Sequence, residues 1–144
     1  MIKKSEMDNK SLLLCIDLEK GSDQLVTYAA QHARRCKLTI QVLYVSHSRL
    51  DKTTRGKILR HLHDLIDQPF SDFTIETIKV ETGIIEEIIV KTARHDHVEL
   101  ILLGRRQRSK VERIHVGSTT RAVIALACRP VLVVPVDHPA ERGK

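Results

Sequence analysis

The chain has 144 residues, about one domain by size and long enough to bury a core without help from metal or disulfide. Its 42% apolar and 29% charged residues place it in the globular range and exclude a disordered chain. The net charge of +6 is localised: seven basic residues (Arg105, Arg106, Arg108, Lys110, Arg113, Arg121, Arg129) face one acid, Glu112, between Gly104 and Arg129, and elsewhere the two signs cancel. Such localisation points to an anionic partner at that segment.

After a polar arm, residues 1–10, Ser11 to Asp17 (SLLLCID) is a nearly unbroken apolar run, as expected of a central strand covered on both faces. Gly21, Ser22 and Asp23 supply turn and N-cap chemistry for a helix with Leu25, Val26, Ala29, Ala30, Ala33 and Cys36 inward. Leu38 to Val45 (LTIQVLYV) predicts a second strand, and a helix follows whose apolar face is Ile58, Leu59, Leu62, Leu65 and Ile66, stopped near Gln68 and Pro69. Phe73 to Val80 alternates apolar and polar residues, which predicts an edge strand. The next helix sets Ile84, Ile85, Ile88, Ile89 and Ala93 inward, with Glu86 and Glu87 at the positive end of its dipole. Glu99 to Leu103 is a fourth strand, Ser118 to Cys128 a fourth helix with Val123, Ile124 and Ala127 on one face, and Val131 to Val136 a fifth strand. Strictly alternating strands and helices with right-handed crossovers predict a mostly parallel, doubly wound sheet with helices on both faces. The domain is expected over residues 11–137, with 138–144 a short tail.

No apolar run approaches the roughly 20 residues of a membrane helix, and the N-terminal residues carry lysines without the apolar stretch of a secretory signal. A cytoplasmic location is therefore expected. Cys15, Cys36 and Cys128 are odd in number, lack CxxC spacing and read as reduced core thiols.

In a doubly wound sheet the binding crevice lies beyond the carboxyl ends of the strands where strand order reverses. That rule selects Asp17 to Ser22, Val45 to Ser48 and Gly104 to Ser118. The last connection holds the positive excess and ends with Gly117 and Ser118 at a helix start, where unpaired N–H groups and about half a positive charge suit a phosphate. Ser118, Thr119 and Thr120 add hydroxyl donors; the competing reading has Ser118 merely capping its own helix.

The segment LILLGRRQRSKVERIHVGSTTRAVIALACRPVLVVPV carries Gly104, two residues, Gln107, nine residues, Gly117 and Ser118. It resembles the C-terminal half of the universal stress protein family, whose nucleotide-binding members show Gly, two residues, Gly, nine residues, Gly, then Ser or Thr. LLLCIDLEKGSDQLVTYAAQHA, LTIQVLYVSHS and the Gly83 helix extend the likeness over nearly the whole domain. The resemblance implies a sheet of order 3-2-1-4-5, an adenine nucleotide alpha-hydrolase-like fold, and a stress-response regulator that binds ATP or a related adenine nucleotide (AMP or ADP), with Mg as an accompanying ion. It implies that Asp17 receives the adenine or ribose side and Val45 gives a backbone contact to adenine. By the same resemblance Leu103 and Gly104 line ribose and phosphate, Arg105, Arg106 and Gln107 form the turn over the phosphates, and Gly117, Ser118, Thr119 and Thr120 hold them. Gln107 replaces a motif glycine, bringing a side chain where a backbone with φ > 0 would approach phosphate.

No catalytic residue is assigned, since Asp17, Glu19 and His47 are the sole titratable groups expected at the crevice and no Walker-type lysine is present. No metal set is assigned either: His61 and His63 face different ways on a helix, His95 and His97 flank Asp96 in the loop before the fourth strand, and no Cys or carboxylate cluster completes a tetrahedral set. The first strand is not followed by GxGxxG. A homodimer through the apolar edge strand Val131 to Val136 is expected, as the family resemblance also suggests. The competing class is a nucleotide-free homodimeric interaction module whose basic loop, Arg105 to Arg113, docks an acidic protein or nucleic acid, although no aromatic in that segment is available for base stacking.

Overall fold

The computed structural model describes residues 10–95, 97–106 and 117–136. Among these described residues five strands and four helices alternate: β1 Ser11–Cys15, α1 Ser22–Cys36, β2 Thr39–Ser46, α2 Lys52–Ile66, β3 Ile75–Thr82, α3 Ile85–Ala93, β4 Val98–Arg106, α4 Ser118–Leu126 and β5 Val131–Val136. All pairings are parallel and the sheet order is β3-β2-β1-β4-β5. The sheet order and the edge positions of β3 and β5 are as the sequence led us to expect.

The two-residue period of a strand sorts β1 between two cores. Leu12 and Leu14 join Leu25, Val26, Ala29 and Ala33 of α1 and Leu62 and Ile66 of α2 on one face. Leu13 joins Ile89 and Ala93 of α3 and Val123 of α4 on the other, with Ile101 and Leu103 of β4. Because β1 is apolar towards both faces, it takes the central place, and its carboxyl end opens where the chain departs in opposite directions to β2 and to β4. Among the described residues no helix is long and apolar enough to cross a membrane.

Several details depart from the sequence reading. Strand β4 runs three residues further than expected, to Arg106, because Gly104, Arg105 and Arg106 pair with Val134, Pro135 and Val136 of β5. Glycine and two arginines look like loop locally, but a waiting parallel neighbour overrides that preference. Ile84, expected inward, precedes α3 as its N-cap and is 55% exposed. Ile124, on the predicted inner face of α4, is 52% exposed; the helix is only nine residues long and Val123 alone among its apolar side chains is fully covered. Cys36 and Cys128 are exposed rather than core thiols. Both follow from position, Cys36 in the last turn of α1 and Cys128 beyond the end of α4, where the sheet no longer covers the helix.

Candidate functional site

The loop after β1 sets the site's first wall. Leu18 lies at φ 61° and Gly21 at φ 94°, both left-handed; Gly21 meets this without a Cβ penalty and serves as N-cap of α1. The cap therefore comes from the backbone of Gly21 and no side-chain cap bond forms. Ser22 instead donates its hydroxyl to the Glu19 carbonyl at 2.7 Å and to Asp17 Oδ1 at 3.4 Å. The Glu19 N–H also donates to Asp17 Oδ1 at 3.0 Å. Asp17 is thus held at the mouth of β1 by its own loop.

Across the sheet, Arg106 at the end of β4 closes on the same carboxylate. Its Nη1 donates to Asp17 Oδ2 at 2.8 Å, its Nη2 to Oδ1 at 2.6 Å, and its Nε to the Lys20 carbonyl. This is a bidentate, charge-assisted pair. Partial burial pushes the Asp17 carboxyl up, but the Arg106 hydrogen bond and charge, the Glu19 N–H and the Ser22 hydroxyl outweigh it and hold the group below its ordinary value of 3.8.

The third wall is the start of α4. Gly117, at φ −60° and ψ 157°, is the N-cap, and no side chain caps the helix. Ser118 stands inside the first turn, so it does not play the capping role that was its competing reading. The first amides of α4 have no intrahelical acceptor and carry the positive end of the dipole.

Together these walls enclose a cleft of about 530 Å³, inside the range of small-molecule sites. Asp17, Val45, Leu103, Gly104, Arg105, Arg106, Gly117, Ser118, Thr119 and Thr120 all line it, so ten of the eleven residues expected at the site meet in one place. The eleventh, Gln107, lies outside the described residues, as do the basic residues 108, 110 and 113. Arg105 and Arg106 stand in β4, not in the turn where they were expected. Arg129 belongs elsewhere: its Nε donates to the Ala93 carbonyl at 3.1 Å, at the end of α3.

The sequence reading missed the apolar floor. Cys15, Leu25, Leu43, Ile85 and Ile89 line the cleft between the polar walls. Burial pushes the Cys15 thiol up to about 12, so it is a neutral wall and not a nucleophile. Their signal was present in the apolar runs of β1 and β2 and in the inward stripes of α1 and the Gly83 helix, which were read as core alone. An apolar floor with hydrogen-bonding groups at one end and a helix N-terminus at the other suits a flat heterocycle carrying an anionic group.

A parallel β3-β2-β1-β4-β5 sheet with this crevice at its switch point defines a doubly wound α/β domain whose cleft lies where such sheets take their ligands. The Universal stress protein family profile matches residues 8–135, and the chain belongs to that family. Among solved structures, a universal stress protein from Archaeoglobus fulgidus is similar at TM-score 0.70 and 19% identity, over 87% of this chain and 98% of its own. A universal stress protein in complex with cAMP is similar at TM-score 0.70 and 17% identity, over 90% and 99%. An Archaeoglobus fulgidus universal stress protein in complex with dAMP is similar at TM-score 0.67 and 18% identity, over 89% and 99%. Comparison with curated protein sequences gave no match.

Proposed function

We propose that this protein is a stress-response regulator that binds ATP or a related adenine nucleotide in the crevice between β1 and β4. The observation that carries the reading is the meeting of Asp17, Val45, Leu103, Gly104 and the start of α4 around one apolar-floored cleft. The cAMP and dAMP complexes of similar folds support the ligand class. In this reading the base lies on the floor beside Val45, Asp17 accepts from a ribose hydroxyl or the base, and the phosphates meet the amides of Gly117 to Thr120 and the guanidinium groups of Arg105 and Arg106. A divalent ion such as Mg²⁺ accompanies the phosphates where more than one is present. The protein acts as a sensor rather than an enzyme, and as a homodimer joined through β5.

The test is to denature freshly purified protein, identify any released nucleotide by chromatography and mass, and titrate the emptied protein with ATP by calorimetry. Retained adenine nucleotide, or micromolar binding, is expected. No nucleotide and no heat up to millimolar ATP would overturn the reading and leave the basic segment, with an acidic protein as its partner, as the function to pursue.

A further inference from the structure

The Arg106 fork engages both oxygens of the Asp17 carboxylate, Nη1 on Oδ2 and Nη2 on Oδ1, and the Glu19 N–H takes a second position on Oδ1; the Ser22 proton goes to the Glu19 carbonyl at 2.7 Å and leaves Asp17 Oδ1 a longer contact at 3.4 Å. A ligand that takes both carboxylate oxygens from the side of β4 must therefore displace the Arg106 fork. Glu19 and Ser22 are fixed by the loop, whose course is set by Leu18 and Gly21. Among the described residues, Arg106 alone reaches Asp17 from another element, 89 residues away in sequence, on a long side chain that is 28% exposed. A guanidinium fork matches a phosphate as well as it matches a carboxylate, and the start of α4, in the same cleft, is where a phosphate is best received.

We propose that Arg106 is a phosphate-responsive latch on Asp17: it holds the carboxylate while the crevice is empty and moves to the ligand's phosphate when one arrives, so the site selects nucleotides against nucleosides. The inference rests on the nucleotide reading above. A nucleoside that takes both oxygens must break the Asp17–Arg106 pair and offers the guanidinium nothing in return. A nucleotide frees Asp17 and supplies the replacement anion in one event. Selectivity for phosphate then arises from the cost of opening the empty site as well as from attraction in the full one.

The experiment is calorimetric titration of adenosine, AMP and ATP into the wild type, Arg106→Gln, Asp17→Asn and the double variant, each checked for a cooperative thermal transition by circular dichroism. In Arg106→Gln, adenosine binding is expected to tighten roughly tenfold while AMP binding weakens roughly tenfold. In the Asp17→Asn background, Arg106→Gln is expected to leave adenosine affinity within about twofold, because the pair being opened is already gone. A simple phosphate contact would weaken AMP and leave adenosine unmoved; that result would overturn the latch while the nucleotide reading stands. A wild type that binds none of the three, with an Arg106→Gln variant that binds adenosine, would overturn the latch as phosphate-responsive, because no phosphate then opens the pair. Failure of both proteins to bind any of the three up to millimolar concentration would overturn the nucleotide reading and the latch with it.

Discussion

Asp17 sits under opposing forces, and their balance has a measurable sign. Desolvation favours the neutral acid, while the Arg106 fork, the Glu19 N–H and the Ser22 hydroxyl favour the carboxylate and prevail. A carboxyl whose folded value lies below its unfolded one stabilises the fold above the ordinary value of 3.8 and loses that contribution as pH falls through the depressed value. The side chains of Arg106 and Asp17 are 28% and 56% exposed, so solvent screens the pair and its worth is under about 1 kcal/mol. Urea unfolding of the wild type and of Asp17→Asn is therefore expected to differ by that amount near pH 6, and the difference is expected to shrink as pH falls below 3.8. A difference that persists or grows through that fall would show that the carboxylate's charge is not what stabilises the loop.

At the scale of elements, two glycines that both precede helices serve different ends. Gly83 lies at φ 152°, and a Cβ there would come within 3.2 Å of the Ile88 side chain, while its N–H donates to the Ser46 carbonyl at 2.9 Å. The backbone itself requires glycine, so Gly83→Ala is expected to destabilise by about 1–3 kcal/mol in denaturant unfolding. Gly117 has an ordinary φ of −60°, and a Cβ there meets no described atom within 4 Å. Gly117→Val is expected to leave the unfolding midpoint nearly unchanged and to weaken ATP binding tenfold or more by crowding the first amides of α4. Loss of stability at Gly117 with binding retained would move the phosphate away from α4.

The same scale shows what could be read from the sequence. Every strand and helix was visible in periodicity, because central strands were apolar on both faces and helices carried a stripe. The far end of β4 was not, since Gly104, Arg105 and Arg106 have no local strand signal and take their conformation from β5, about thirty residues on. Exposure of Ile84, Ile124, Cys36 and Cys128 was hidden for a related reason: periodicity gives the direction of a face and not where the covering layer ends. The strand-end rule and the family likeness together singled out ten residues that line one cleft. The Asp17–Arg106 pair was out of reach, because it depends on a side-chain meeting across 89 positions that neither pattern nor spacing encodes. The same holds at the opposite end of the sheet, where Glu76 of β3 accepts from the hydroxyls of Ser11 in β1 and Thr39 in β2.

For the molecule as a whole, the open question of assembly reduces to which backbone groups β5 leaves facing outward. The Pro130 carbonyl accepts from the Ile101 N–H at 2.9 Å, so Pro130 faces β4, and alternation along the strand turns Leu132, Val134 and Val136 the same way. Val131, Val133 and Pro135 then point their backbone groups away from the sheet. That explains why a proline is accommodated in this strand: its missing N–H falls on the outer edge, where β4 does not need it. It also limits a second copy's strand to the N–H groups of Val131 and Val133, with Pro135 offering its carbonyl alone. If the proposed homodimer pairs β5 with β5, Val133→Pro removes one of those two donors without touching the β4 ladder. Sedimentation equilibrium is expected to give about twice the 16.4 kDa chain mass for the wild type and a shift towards the single-chain mass for the variant, with the far-ultraviolet dichroism of the two proteins superimposable. A variant that keeps the wild-type mass would place the contact elsewhere, with exposed Ile124 and Leu126 of α4 the next surface to substitute.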